Sequence, residues 1–151
     1  MMKNLNAWIL DLGLGYKVAL GIREILHLID APATFTVPCT PPYCSKVVPW
    51  QGRMLPVMEL ASRLDGKSIA GQFIAVVGYQ KVRGEYPQFG ALLLTSPPTK
   101  ILVNESNACE LPEKMYSWRE LVISCFELNG ESLPVLNLNR VFMPLADNLD
   151  F

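Results

Sequence analysis

One ten-residue pattern occurs twice and constrains the fold more than any other feature of the sequence. Residues 51–60 read QGRMLPVMEL, and residues 129–138 read NGESLPVLNL. Each copy opens with an amide side chain followed by glycine, a pair typical of a tight hairpin turn in which φ is positive. After the shared Leu-Pro-Val, the apolar spacing changes from alternating to helical. The sequence therefore predicts the same unit twice, a hairpin followed by a short helix.

The prolines of the two copies, Pro56 and Pro134, stand four residues after their glycines. Proline has no backbone N–H, so in a central strand it would interrupt the hydrogen-bond ladder. Both prolines therefore predict an edge strand or the corner of a barrel.

The remainder of the chain is rich in short β-type segments separated by turn residues. We predict strands over residues 7–12, 16–22, 47–50, 72–79, 89–95, 101–103, 121–128 and 132–136, a helical turn that runs into a strand from residue 22, and helices over 59–64 and 137–142. About nine short strands at this spacing indicate a mainly β sandwich or barrel. The doubled hairpin-plus-helix predicts two small barrels that share a core, with residues 1–5 and 145–151 as flexible ends.

Two segments are predicted to be long loops. Five prolines fall between residues 30 and 49, so this loop is expected to be ordered by packing, with Phe35, Val37 and Tyr43 as its anchors. Residues 104–118 form the second, polar loop, held by Leu111, Met115 and Tyr116. Met54, Met58 and Met115 are interpreted as fillers of the core.

Charge and hydropathy exclude two classes of partner. The net charge is −1 and the lysines and arginines are scattered, so no basic surface for nucleic acid is expected. No uncharged apolar stretch reaches the roughly 18 residues of a spanning helix, so membrane insertion is not expected. The expected location is the cytoplasm. Half of the residues are apolar, which predicts a surface that meets another protein or supports weak self-association.

The sequence offers little from which to build a catalytic site. His27 is the one histidine, so no Ser/His/Asp or Cys/His set can be assembled, and Gly13-Leu14-Gly15 lacks the third glycine of a phosphate loop. The four cysteines are irregularly spaced and are interpreted as buried or incidental thiols, not as zinc ligands. We therefore expect no catalytic residues, no metal and no cofactor, and hence a non-enzyme.

Several segments together resemble the CheW family of chemotaxis coupling proteins. They are residues 16–20 (YKVAL), 22–25 (IREI), 51–60, 89–93 (FGALL) and 133–138, and the resemblance spans about residues 7–143. It implies a single domain over residues 1–151, made of two intertwined five-stranded SH3-like barrels packed side by side. It also implies short helices after residue 58 and at the C-terminus.

The same resemblance implies a non-catalytic adaptor in signal transduction. Family members bind the regulatory domain of a CheA-like histidine kinase through the first barrel. They bind the cytoplasmic tip of a methyl-accepting chemoreceptor in the groove between the barrels. The partner-binding positions expected from it are Ile22, Glu24, Ile25, Gln51, Phe89, Gly90 and Leu94. Of these, Ile22, Ile25 and Phe89 are interpreted first as core residues and second as lining of the groove.

Two positions depart from the family pattern. Gln51 stands where an arginine usually pairs with the acid at Glu24, and an amide cannot replace the bidentate, charge-assisted contact of a guanidinium. Leu94 stands where the family usually has an aspartate. These departures leave two alternatives open: a divergent scaffold in pilus-driven twitching or another pathway, and a small-ligand-binding β-barrel protein, which a deep polar pocket with clustered titratable groups would indicate.

Overall fold

The computed structural model describes the backbone of residues 4–149 and the side chains of residues 4–143. Its strands are β1 (Leu5–Gly13), β2 (Tyr16–Gly21), β3 (Ile25–Asp30), β4 (Phe35–Thr36), β5 (Lys46–Trp50), β6 (Arg53–Met58), β7 (Phe73–Tyr79), β8 (Gln88–Leu94), β9 (Thr99–Val103), β10 (Val122–Leu128) and β11 (Glu131–Leu136). Its α-helices are α1 (Leu60–Asp65) and α2 (Leu138–Leu149). The predicted flexibility of residues 1–3, 150 and 151 lies outside the described residues.

The strands form two curled sheets. One sheet combines the first and last strands of the chain, and the other contains the strands between them. The five-stranded sheet has the order β10-β11-β2-β1-β9, and the six-stranded sheet has the order β3-β7-β8-β6-β5-β4. The N-terminal hairpin therefore pairs with strands from the C-terminal part of the chain. The prediction of a mainly β, two-lobed fold with short helices after residue 58 and at the C-terminus is confirmed. The sixth strand of the second sheet is the two-residue β4.

The two repeated turns have the same backbone conformation. Gln51 and Gly52 have φ values of 48° and 74°, and Asn129 and Gly130 have values of 52° and 78°. Positive φ at both central residues is the mark of a type I′ turn, whose twist matches that of the flanking strands. The predicted hairpins are confirmed as β5–β6 and β10–β11.

The two prolines lie in interior strands, at the point where each strand gains a second neighbour. Pro56 and Pro134 pair on one side with β5 and β10. The parallel pairing on the other side begins one residue later, at Val57 with β8 and at Val135 with β2. Because the missing N–H falls before the second ladder starts, the prolines fit the corner of a curled sheet, not its edge.

Each repeat continues into a helix, as predicted. Glycine ends α1, because Gly66 adopts a φ of 74° and its N–H donates to the Ser62 carbonyl at 2.7 Å. The prediction that the second helix stops near residue 142, before Pro144, was wrong, since the backbone remains helical to Leu149. Proline has a helical φ and removes one hydrogen bond, so it does not always end a helix.

The segment predicted as a polar loop over residues 104–118 is more ordered and more buried than expected. It contains 3₁₀ turns at Glu105–Asn107 and Glu113–Leu121. The second turn buries Met115, Trp118 and Leu121. The Trp118 indole is 1% exposed and lies 5.2 Å from the Tyr16 ring, centroid to centroid. Three side chains of this segment are therefore part of the core, while more than half of its side chains are exposed.

The main core lies between the two sheets. It takes Leu10, Leu12, Val18 and Leu20 from the five-stranded sheet and Ala75, Val77, Leu92 and Leu94 from the six-stranded sheet, together with residues of both helices and the second 3₁₀ turn. A smaller cluster inside the six-stranded sheet contains Val48, Leu55, Val57, Ile74, Val76 and Ala91. The lobes thus share one core, as predicted from the repeat.

Three side chains expected inside are exposed, and one of them, the loop anchor Tyr116, is 57% exposed on the second 3₁₀ turn. Phe35, predicted as a loop anchor, is 55% exposed on the edge strand β4, and Met54, predicted as a core filler, is 53% exposed on β6. Both belong to strand faces that point away from the core. Tyr43 does pack against the main core, as expected of an anchor.

Helix α2 closes the junction between the sheets at a position that requires glycine. A methyl group on Gly90 of β8 would lie 2.6 Å from Cε1 and Cζ of the Phe142 ring. The same ring stacks on Tyr79 of β7, with centroids 5.6 Å apart and planes 7° apart. The absence of a side chain at Gly90 therefore lets the helix contact the six-stranded sheet directly.

Candidate partner-binding surfaces

A surface groove with a volume of about 690 Å³ runs between the two sheets. Strands β3, β7 and β8 supply one wall, and β10 with the start of α2 supplies the other. The lining side chains and backbone come from Arg23, Glu24, Leu26, Gly78, Tyr79, Gln80, Pro87, Phe89, Ile123, Asn137, Leu138 and Asn139. Leu26 is 47% exposed and Ile123 is 65% exposed. Exposed aliphatic side chains on facing walls make this groove suited to an apolar partner surface.

Glu24 lies in the turn by which the chain leaves the five-stranded sheet for the six-stranded one. Its Oε1 accepts a hydrogen bond from the Gly21 N–H at 2.8 Å, and its own N–H donates to the Gly21 carbonyl at 3.0 Å. Its carbonyl accepts from the N–H of Gly78 at 3.0 Å. The residue therefore fixes the geometry of the crossover at one end of the groove.

Partial burial raises the pKa of the Glu24 carboxyl, and the hydrogen bond from the Gly21 N–H lowers it by less. No basic side chain forms an ion pair with Glu24, and among residues 4–143 the single ion pair is Lys17–Glu131 at 3.9 Å. A partly desolvated carboxylate that forms no ion pair gains when a partner brings an arginine or lysine to it.

An aromatic and basic cluster adjoins the groove on the six-stranded sheet. The Trp50 and Phe89 ring centroids are 5.4 Å apart, and the guanidinium carbon of Arg53 lies 4.7 Å from the centre of the Phe89 ring. The Trp50 indole N–H donates to Nδ1 of His27 at 3.2 Å. These contacts hold the Phe89 ring in place at the groove, and Trp50, itself hydrogen-bonded to His27, packs against that ring.

The six-stranded sheet also presents a continuous apolar outer face, which we call the outer face. Phe35 is paired with Val47, Val47 with Pro56, and Pro49 with Met54, so side-chain alternation puts all five on one side. Phe35, Pro49 and Met54 are exposed, whereas Val47 and Pro56 are half-buried. The opposite side carries Val48, Leu55 and Val57 into the smaller core.

The structure distributes the residues expected to bind partners over three environments. Glu24 and Phe89 line the groove, with Ile22 and Ile25 half-buried beside it in the crossover turn and at the start of β3. Gln51 is exposed at the tip of the β5–β6 turn. Gly90 and Leu94 are buried, the first beneath Phe142 and the second in the main core. Their side chains therefore do not reach a surface.

Of the twelve groove residues, only Glu24 and Phe89 were among the predicted partner-binding positions, and those missed include Leu26, Tyr79 and Ile123. The alternation of β3 and β10 is interrupted by irregularities in register, between Ile25 and His27 and between Val122 and Ser124. These irregularities turn Leu26 and Ile123 outward, so a regular inward–outward alternation does not predict that their side chains are exposed. Tyr79 shows no distinguishing signal in the sequence, since it ends an apolar run.

Two further features of the described residues bear on function. None of the described helices is long and apolar enough to cross a membrane. Within the part of the chain that the structure describes, no three side chains of His, Cys, Asp or Glu type come together as metal ligands would.

Comparison with known proteins decides the family. The family model described as the CheW-like domain matches residues 11–86, half of the sequence. The chain belongs to the CheW-like domain family. Among solved structures, this CheW-like chain is similar to the scaffolding protein TtCheW from Thermoanaerobacter tengcongensis, with 16% identity, a TM-score of 0.74 and coverage of 93% of each chain. That likeness shows the fold. No match was found among curated proteins.

Proposed function

We propose that this CheW-like protein is a non-catalytic adaptor of the chemotaxis type, which links a CheA-like histidine kinase to the cytoplasmic tip of a methyl-accepting chemoreceptor in the cytoplasm. Family membership and the two-lobed fold support a scaffold. The observation that carries the proposal is the pairing of two separate apolar surfaces, the groove and the outer face.

The groove suits the receptor because its shape and lining fit a helix. An α-helix with its side chains is about 10–12 Å across, and an amphipathic helix binds by laying one apolar face into such a groove. Leu26 and Ile123 face each other from the two sheets, and Glu24 with Arg23 supplies charges at one end. A receptor helix would place its apolar residues between the two aliphatic side chains and a basic residue near Glu24.

The outer face suits the kinase regulatory domain because it is a sheet surface with an exposed strand edge. Phe35 and Met54 are its two most exposed side chains, and β4 at the edge of the sheet has one side without a neighbour. A β-rich domain can pack on such a face and pair with such an edge. Gln51 lies at the tip of the adjoining hairpin, where the family usually has arginine, so this contact relies more on apolar burial than on a charge pair.

The departures at Gln51 and Leu94 bear on which pathway the adaptor serves. Leu94 is 0% exposed, so in this chain that position contributes to the core and not to recognition. If the chemotaxis-type kinase fails to bind and a kinase of a pilus-driven pathway binds the same outer face, the adaptor belongs to the second pathway. A small-ligand role has less support, since the groove has only three titratable side chains, Arg23, Glu24 and Tyr79.

Two exposed-site variants test the proposal by calorimetric titration with each partner separately. Leu26→Glu is expected to abolish binding of the receptor tip and to leave kinase binding unchanged, and Met54→Glu is expected to do the reverse. Leu102→Glu is the matched control, because Leu102 is a similarly exposed apolar residue, 57% exposed on β9. Equal effects of all three variants, or no binding by the unmodified chain, would refute it.

A further inference from the structure

Two of the four cysteines lie side by side, outside the groove and the outer face. The sulfur atoms of Cys109 and Cys125 are 3.1 Å apart. The N–H of Cys109 donates to the carbonyl of Cys125 at 2.9 Å, and Ala108, before Cys109, forms an antiparallel bridge with Phe126, after Cys125. Cys109 is therefore directly opposite Cys125, across a short extension of the five-stranded sheet.

This arrangement matches the geometry that a disulfide needs. Residues opposite each other on antiparallel strands have Cα atoms about 4.5–5.5 Å apart. Disulfides join Cα atoms about 4.4–6.8 Å apart. Because the backbone already meets this requirement, a bond between the two sulfurs needs side-chain rotation and no displacement of a strand.

The two thiols differ in their access to solvent. Cys109 is half-buried, whereas Cys125 is 5% exposed. Both border a shallow surface pocket of about 230 Å³, together with Leu111, Arg119 and Ile123. Burial, with the Cys109 thiol as a second cause, raises the pKa of Cys125 to about 12, so this thiol stays protonated. Cys109 is accordingly the sulfur that meets a reagent first.

We propose that Cys109 and Cys125 form a redox site, a dithiol that a hydroperoxide or a small-molecule disulfide converts reversibly into an intramolecular disulfide. This site is independent of the proposed adaptor function. Cys44 is buried and Cys39 is exposed, and neither makes a hydrogen bond to another cysteine in the described structure. The dithiol is thus a specific pair and not a consequence of cysteine content.

The oxidation balances with a hydroperoxide as the two-electron oxidant. The Cys109 thiol loses its proton, and its sulfur attacks the terminal peroxide oxygen. The O–O bond breaks, and water or an alcohol leaves, so that Cys109 becomes a sulfenic acid. The sulfur of Cys125 then attacks the sulfur of Cys109, the S–O bond breaks, and the departing hydroxide takes the Cys125 proton as water. Exchange with an external dithiol restores both thiols.

The disulfide would join β10 to Cys109, which lies four residues before the start of the long 3₁₀ turn. That turn supplies Met115, Trp118 and Leu121 to the main core. In the reduced form, the segment between the cysteines is held by packing and a few hydrogen bonds. In the oxidised form, it is a closed covalent loop, so its local opening becomes less frequent.

The test is mass spectrometry of the full chain after treatment with hydrogen peroxide and alkylation of the remaining thiols. We expect an intact mass lowered by two hydrogen atoms, a crosslinked peptide that contains Cys109 and Cys125, and reversal by dithiothreitol. Cys109→Ser and Cys125→Ser are expected to lose the crosslink, and Cys39→Ser to keep it. Amide exchange of residues 110–121 is expected to slow severalfold on oxidation.

The crosslink is measured first in the unmodified chain. A cysteine variant that fails to fold therefore does not weaken the test. The proposal is overturned if peroxide leaves both thiols open to alkylation. It is also overturned if Cys109 proceeds to sulfinic acid without a crosslink, or if only disulfide-linked dimers through Cys39 form. Unchanged exchange of residues 110–121 in a fully crosslinked chain would overturn the effect on the 3₁₀ segment.

Discussion

Replacement of Gly90 by alanine tests whether the contact between α2 and β8 holds the two lobes together. The added methyl carbon would lie 2.6 Å from two atoms of the Phe142 ring and 3.0 Å from a third. These distances are well below van der Waals contact. The ring is also held by its stacking on Tyr79, so moving it away from Gly90 disrupts that contact. The substitution should therefore force α2 away from the six-stranded sheet.

The size of the effect follows from two opposed contributions. Overpacking of a buried site destabilises a protein by about 1–3 kcal/mol. Replacing glycine by alanine within a strand recovers about 0.5–1 kcal/mol of backbone entropy. We therefore expect Gly90→Ala to lower the free energy of unfolding by up to about 2.5 kcal/mol. Phe142→Leu in the same chain should restore part of this loss, with a coupling energy of about 1 kcal/mol or more.

The assay is urea unfolding of the four chains of this double-mutant cycle, compared at equal m values. Gly78→Ala is the matched control, since Gly78 lies in the paired strand β7. Its added methyl group would approach the end of the Leu26 side chain at 3.0 Å and meet Phe89 at an ordinary contact distance of 3.7 Å. Leu26 is exposed and can rotate, so this variant should keep most of the roughly 0.5–1 kcal/mol gained by replacing a strand glycine, and it should not lose stability. Equal losses for the two glycine variants, or a coupling energy of zero, would refute the reasoning.

Three further predictions concern the crossover turn, the repeated hairpin and the buried 3₁₀ segment. Glu24→Gln should be more stable than the unmodified chain at pH 7 and equal to it at low pH. The folded pKa of Glu24 is raised, so the ionised carboxylate opposes folding above that pKa and the neutral acid does not. Gln51→Asn should stabilise by up to about 1 kcal/mol, and Asn129→Gln should destabilise similarly, because asparagine tolerates positive φ better than glutamine. Trp118→Ala should cost about 3–5 kcal/mol, as expected for a buried aromatic residue.

Each of these predictions has a direct check. The stability gap of Glu24→Gln is measured by urea unfolding from pH 3 to pH 8, and a gap that widens as pH falls contradicts the raised pKa. The two hairpin variants are compared by midpoints of thermal unfolding, and shifts of the same sign would contradict the turn assignment. For Trp118→Ala, denaturant unfolding is followed by circular dichroism, and a loss below about 1 kcal/mol would mean that the 3₁₀ segment is peripheral.

The repeat made much of this fold predictable, because its turn chemistry and helical periods are local properties. An amide residue followed by glycine specifies a type I′ turn at 51–52 and 129–130, and both turns are present. The pairing of the N-terminal hairpin with β9 and β11 was not predictable, since it depends on contacts between segments about a hundred residues apart. The buried 3₁₀ segment was missed because its charged residues mask the spacing of Met115, Trp118 and Leu121.

The candidate surfaces were less predictable than the fold. Glu24 and Phe89 were found by resemblance and do line the groove, but the outward turn of Leu26 and Ile123 depends on irregular register. The outer face was missed because Phe35 and Met54 are of residue types that usually lie in a core. Which face of a sheet an apolar strand residue lies on can be predicted only when the strand register is known.

The central claim is that one molecule of this protein holds two partners at once, and the mass of the assembled complex tests it most directly. The chain is mixed with the regulatory domain of the CheA-like kinase and the receptor tip from its own genome, and analysed by sedimentation velocity. The account predicts one species whose mass equals the sum of the three components, and two-component species for Leu26→Glu and for Met54→Glu. Partners that exclude each other, or that bind the two variants as well as the unmodified chain, would contradict it.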